Sequence, residues 1–300
     1  GMVRNLLRYS HPVLIHDTDA TNLRDFHGEE GVSVAHGAAE VAQGAPIVMS
    51  MLPNDAVLKD VTGQMLPHLE GKLHISCSTV SPATSRELAR LHASAGAEFV
   101  AAPVFARPDG VAARKASIMV SGPRPAVHRA KDLLATTAPD IFDFGEDVGA
   151  ANVVKLCGNF LIAASIESIA EAAALAESEG LDRLAVVQTL NQTLFDCLIY
   201  RGYGQRVSER DHKPGGFPAE LGLKDVSLVQ QAARGAGVPM PFLSTLVDRF
   251  VSAKAKGRAG MDWSAIGLAA AEDAGLDVTA DLARLKREMS DDEDGWAPSR

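Results

Sequence analysis

A chain of 300 residues with 46% hydrophobic content carries enough apolar side chain for two ordinary domains, each with its own core. A formal charge of -9 argues against a nucleic-acid backbone or an anionic membrane as chief partner, since both select for basic faces, and suggests a soluble, cytoplasmic protein. Cys77, Cys157 and Cys197 lie far apart without C-x-x-C spacing, so they read as buried structural thiols rather than as a disulfide framework or a zinc site.

The opening GMVRNLLRYSHPVLIHD sets Met2, Val3, Leu6 and Leu7 at the period of an amphipathic helix, with Arg4 and Arg8 one turn apart. VLIH at 13–16 then reads as a short buried strand running to Asp17. Helix, strand and acid in that order form the second half of a β-α-β unit. Such a segment ordinarily follows a strand and a glycine-rich turn, which cradle a dinucleotide pyrophosphate while the acid takes the ribose hydroxyls. Neither precedes Met2, so Gly1-Met2 reads as a cloning remnant before an assumed start methionine, or as an internal piece of a longer gene product. The expected consequence is a sheet short of its first strand and a weakened grip on cofactor. The first twenty residues lack the apolar core of a signal peptide.

Further strands are predicted at 46–52, 72–76, 98–104, 117–120 and 141–144, and helices at 55–69, 82–96 and 124–136, the second opened by Ser81-Pro82. This alternation implies a mainly parallel sheet covered by helices. After Gly149 the pattern changes to about 30 residues without proline, a helix of roughly 45 Å at 1.5 Å per residue, and helices alone follow. Lys155, Asn159, Glu167 and Glu171 interrupt that apolar run at helical spacing, which would be costly in lipid, so the helix is expected to be buried in protein. Its alanines, Ala163, Ala164, Ala170, Ala172, Ala173 and Ala174, suggest close packing against a second subunit, in a homodimer or larger homo-oligomer. The domains are therefore 1–148, α/β, and 149–289, all-helical, with 290–300 an acidic, disordered tail.

Two clusters could carry chemistry. Lys155 and Asn159 lie one turn apart and set an ammonium and an amide on one face of an apolar helix. Burial moves a lysine toward proton exchange near neutrality, which suits protonation of an alkoxide; a lysine snorkelling at a helix end has the same spacing. In ISCSTVSPATSREL at 75–88, Ser78 and Thr79 fall where a strand ends, at the edge where α/β sheets place ligands. Hydroxyls that only cap the next helix read the same way. Leu52 and Pro53, in MLP, end another strand at that edge.

Taken in order, GMVRNLLRYSHPVLIHD, MLP, STVSPATSRELA, APVFARPDGVAARKASIMVSG, GAANVVKLCGN, AEAAALAESEGLD and GLKDVSL resemble the β-hydroxyacid dehydrogenases, the family of 3-hydroxyisobutyrate dehydrogenase, over residues 2 to about 267. The resemblance implies a Rossmann domain, a long interdomain helix and an all-helical domain, with hydride passed between nicotinamide and a small 3-hydroxy acid or semialdehyde. Within it, Lys155 matches the catalytic lysine, Asn159 an amide that helps hold substrate, and Ser78 the serine that binds the substrate carboxylate. Thr79, Leu52 and Pro53 match positions lining the nicotinamide half, and Lys224, in GLKD, a lysine that closes over the cofactor. Asp17 stands where the family chooses its cofactor; a carboxylate there favours NAD over NADP, and no arginine follows to reverse the preference. Capping of the next helix is its other reading.

The chain departs from the family at APVFARP, where Phe105, Ala106, Arg107 and Pro108 replace a usual glycine pair. Arg107 could offer a charged fork to a carboxylate or face solvent, and Phe105 would narrow the pocket, which argues against 3-hydroxyisobutyrate itself as substrate. Reduction of a C=N bond, as in imine reductases of the same architecture, and a non-catalytic dimeric scaffold are the alternatives.

Overall fold

The computed structural model describes residues 1–294 and divides the chain into two compact units, one ending at Leu156 and the other beginning at Cys157. In the first, α1 (Met2–Arg8) leads into β1 (Val13–Ile15). There follow α2 (Thr21–Arg24), β2 (Val32–Val34), α3 (Ala38–Gly44), β3 (Ile47–Ser50), α4 (Asp55–Met65) and β4 (Leu73–Ser76). Then come α5 (Pro82–Ser94), β5 (Glu98–Ala101), β6 (Val104–Phe105), α6 (Pro108–Ala112), β7 (Ser117–Val120), α7 (Arg124–Leu134) and β8 (Asp140–Asp143).

The strands form three ladders, β1-β2, β3-β4-β5 and β6-β7-β8, and their pairings are parallel with one exception. β1 pairs β2, β3 pairs β4, β4 pairs β5 and β7 pairs β8, all parallel, while β6 runs antiparallel to β7. Among the described residues no ladder joins β1 to β3. The single strand expected at 98–104 is thus two. Pro103 lacks an N–H and cannot donate to a ladder, so the chain leaves β5 there and re-enters as β6, its Pro103 carbonyl accepting from Met119 N at 3.1 Å. β2 and α3 escaped the sequence reading because VSV and AAEVAQG are too short for periodicity to accumulate.

All four residues of β4 are buried, as befits a central parallel strand covered on both faces. Leu73 and Ile75 join Val100, Ile118, Val120, Ala126, Ala130 and Leu134 in the main core. On β4 also stands His74, whose Nε2 lies 2.8 Å from Ser50 Oγ and whose Nδ1 lies 3.0 Å from His92 Nε2. His92 Nδ1 faces the Leu88 carbonyl at 2.7 Å and must donate to it. With both rings kept neutral by burial, His92 Nε2 then accepts from His74 Nδ1–H and His74 Nε2 accepts from Ser50. Burial holds both pKa values below the ordinary histidine range.

The helix α8 (Ala150–Ser178) has 29 residues and spans the boundary between the units. After it come α9 (Arg183–Thr193), α10 (Leu198–Glu209), α11 (Ala219–Ala236), α12 (Pro241–Ala255), a 3-10 turn at Trp263–Gly267, α13 (Leu268–Asp273) and α14 (Thr279–Asp294). The alanine face of α8 is largely covered by its own chain: Ala163, Ala170, Ala173 and Ala174 are buried, and a Cβ on Gly267 would meet Ala170 at 2.9 Å. Close approach by a small residue within one chain accounts for these four alanines, whereas Ala172 on the same helix is exposed. Glu167, wholly buried on the same helix, pairs through Oε1 with Arg249 of α12, which also binds Asp273. Trp263 donates to Tyr203 Oη at 2.7 Å, and its ring meets Phe217 edge-on.

Two expectations need correction. The sequence places a disordered tail from Ser290, yet α14 continues to Asp294, with no glycine or proline among its residues; 295–300 lie outside the described residues. Of the cysteines only Cys77 is buried, its thiol pushed up to about 12 by loss of solvent, whereas Cys157 on α8 and Cys197 at the N-cap of α10 are exposed.

Candidate functional site

Three loops leave the carboxyl ends of parallel strands in the first unit, and each carries residues singled out in the sequence. Asp17 follows β1 and is exposed; its Oδ1 accepts from Asp19 N at 2.9 Å and its Oδ2 from Asn22 Nδ2 at 3.0 Å. The carboxylate is thereby oriented by its own loop. Leu52 and Pro53 follow β3, with Met51 beside them 56% exposed, so an apolar surface stands open at the edge of the sheet. Ser78 and Thr79 follow β4.

The hydroxyl run divides its tasks. Ser81 caps α5, accepting from Thr84 N at 3.1 Å, and is itself held by Asp55. Ser78 does not cap; its Oγ accepts from Leu52 N at 2.8 Å and ties the end of β4 to the end of β3. It is 1% exposed, and Thr79 beside it is half-buried. With one lone pair engaged, the Ser78 hydroxyl retains its proton for donation.

Lys155 is half-buried on the second turn of α8, and its Nζ lies over the Phe105 ring, 4.1 Å from the centroid. The two residues were noted separately in the sequence, which carried no sign that strand β6 brings them together. Ala106 is exposed, and Arg107, half-buried, occupies the N-cap position of α6.

In the second unit Asn159 is 3% exposed and its Nδ2 donates to Asp225 Oδ2 on α11. Lys224 Nζ lies 2.9 Å from Asp225 Oδ1. Asp225 was missed, although an acid set directly after a lysine among the apolar positions of α11 was visible in GLKDV. It joins the amide and the ammonium in one polar group within that unit. Farther off, His212 is buried with Nδ1 2.9 Å from Ser264 Oγ, and burial carries its pKa down to about 4.

An exposed, oriented carboxylate for paired hydroxyls, and an apolar edge beside a serine and a threonine, fit the ribose and nicotinamide ends of a dinucleotide. A Rossmann-like unit of parallel strands and helices bearing these features defines a dinucleotide-binding protein. Residues 1–145 match the NAD binding domain of 6-phosphogluconate dehydrogenase, and residues 149–270 match the NAD-binding domain of NADP-dependent 3-hydroxyisobutyrate dehydrogenase. An uncharacterized oxidoreductase of Bacillus subtilis is 33% identical over 88% of this chain and 93% of its own length. The 3-hydroxyisobutyrate dehydrogenase of Pseudomonas aeruginosa is 30% identical over 88% of this chain and 92% of its own. Among solved structures, Mycobacterium tuberculosis 3-hydroxyisobutyrate dehydrogenase with L-serine superposes with a TM-score of 0.79 at 29% identity, over 89% of this chain and 94% of that one. The chain belongs to the β-hydroxyacid dehydrogenase family and is an NAD(P)-binding oxidoreductase.

Proposed function

We propose that this protein transfers hydride between NAD and a small 3-hydroxy carboxylic acid or its semialdehyde, with Lys155 as the proton donor and acceptor. The observation that carries the reading is the half-buried Lys155 ammonium seated on an aromatic ring, in the same unit as the open apolar strand edge and Ser78. Bound nicotinamide would supply or remove the hydride. In reduction the substrate oxygen gains the Lys155 proton as the carbon gains hydride, leaving a neutral amine; oxidation reverses both transfers. The Ser78 hydroxyl proton and the Asn159 amide are the donors we assign to the substrate carboxylate, with Arg107 as a charged fork for the same group. Asp17 would take the ribose hydroxyls, Leu52, Pro53 and Thr79 would line the nicotinamide half, and Lys224 would close over the cofactor. The substrate class is supported by relatives whose names specify 3-hydroxyisobutyrate and, in one solved structure, L-serine; both molecules carry a hydroxyl on the carbon β to a carboxylate.

The test is Lys155→Ala assayed with NAD and a panel of 3-hydroxy acids. Turnover should fall by about 10² to 10⁴, the range for loss of a general acid-base, while NADH affinity by fluorescence titration stays within about twofold. Turnover within about threefold of the parent would overturn the assignment.

A further inference from the structure

Phe105 is held in place by a strand pairing on one side and a buried cluster on another. It pairs with Ser117 in the antiparallel β6–β7 ladder, and packs beside Val154 against the cluster of Ala101, Met119 and Ala151, three residues buried to 3% exposure or less. Ala151, Val154 and Lys155 are three and four residues apart and so share one face of the first turns of α8, which packs the strand that fixes the ring and the helix that carries the lysine through neighbouring side chains. The Lys155 Nζ then lies over that ring at 4.1 Å from its centroid, well inside the range over which the negative face of an aromatic attracts a cation.

We propose that Phe105 is the positioning residue of this protein's Lys155: its ring face holds the ammonium in place and in its charged form. The proposal rests on the reading of Lys155 as the proton donor. A ring face differs from a carboxylate in the property that matters here. It attracts the charge yet cannot take up the proton, so it steadies the acid without competing with the substrate oxygen for it. The same segment that departs from the family at APVFARP would thus substitute an aromatic anchor for backbone contacts. Arg107, at the N-cap of α6, and Cys157, two residues along α8, are the ionisable groups nearest the pair in sequence.

The experiment compares Phe105→Leu with Phe105→Tyr in the full chain. Leucine keeps apolar bulk against Ala101 and Met119 but removes the ring face; tyrosine keeps the face. Two readouts are taken. In the first, the pH dependence of Lys155 acylation by a trace of acetic anhydride is followed by mass spectrometry on the free protein. Phe105→Leu should move its midpoint to lower pH by about half a unit to one and a half units, the pH equivalent of one cation–π contact, while Phe105→Tyr stays within about 0.2 units of the parent. In the second, the alkaline limb of kcat for carbonyl reduction should move by the same amount in the same direction. Equal midpoints in the leucine variant and the parent would overturn the role of Phe105. If instead Lys155→Ala keeps its turnover, the lysine reading fails on its own, and the acylation midpoints still decide whether the ring holds the charge.

Discussion

His212 offers a stability prediction whose sign and size follow from its surroundings. It is 1% exposed, its carbonyl accepts from Asp262 N at 3.1 Å, and its Nδ1 sits 2.9 Å from Ser264 Oγ. Burial dominates its titration and takes the folded-state pKa from 6.5 to about 4; Asp262 and Asp211 pull the other way without prevailing, and Arg206 and Arg258 add to the fall. Between those two values the unfolded chain binds a proton that the folded chain refuses. The contribution to stability is therefore complete above pH 6.5 and is lost as the pH falls toward 4. The full window is worth about 3 kcal/mol at roughly 1.4 kcal/mol per unit, and about 2 kcal/mol of it is gone by pH 5. Urea unfolding followed by the fluorescence of Trp263, buried in the same unit, should show the parent losing about 2 kcal/mol more than His212→Asn between pH 7.5 and pH 5. Asparagine preserves a polar partner for Ser264 and does not titrate, so the other histidines cancel in the comparison. Parallel pH profiles for the two proteins, differing by less than about 0.5 kcal/mol, would refute the argument.

Gly222 on α11 faces Phe250, and a Cβ there would run into its Cε1 and lie 2.7 Å from its Cζ. Because Phe250 is 1% exposed and cannot swing aside, Gly222→Ala should destabilise by about 1–3 kcal/mol despite alanine's better helix propensity, read as a lowered urea midpoint. Arg249→Leu strands Glu167 in the interior, where burial already raises its pKa, and should cost about 3–5 kcal/mol; adding Glu167→Leu should recover most of that in the same assay. For Asp17, fluorescence titration should show NADH preferred to NADPH by at least about tenfold, since repulsion of a 2′-phosphate is worth on the order of 1.4 kcal/mol or more, and Asp17→Ala should erase most of the difference.

Periodicity determined the large pieces of this protein, because both periods persist over enough residues to be read without tertiary contacts. The alternation of strands and helices before Gly149, the Ser81-Pro82 start of α5 and the uninterrupted α8 are all local in origin. The order of short motifs likewise marked the family, since seven segments at set intervals carry information that no single one holds. What the sequence could not supply is which distant residues meet. Ser78 bonds Leu52 across 26 positions, Asn159 finds Asp225 across 66, and Lys155 finds Phe105 only because Pro103 ends one strand and lets β6 turn back along β7. The same holds for the alanines of α8, whose spacing suits a neighbour of either origin; tertiary packing against Gly267 shows that part of that neighbour is the chain itself. A helical or extended period arises from the geometry of a few consecutive residues, whereas a contact between segments depends on the packing of everything that separates them.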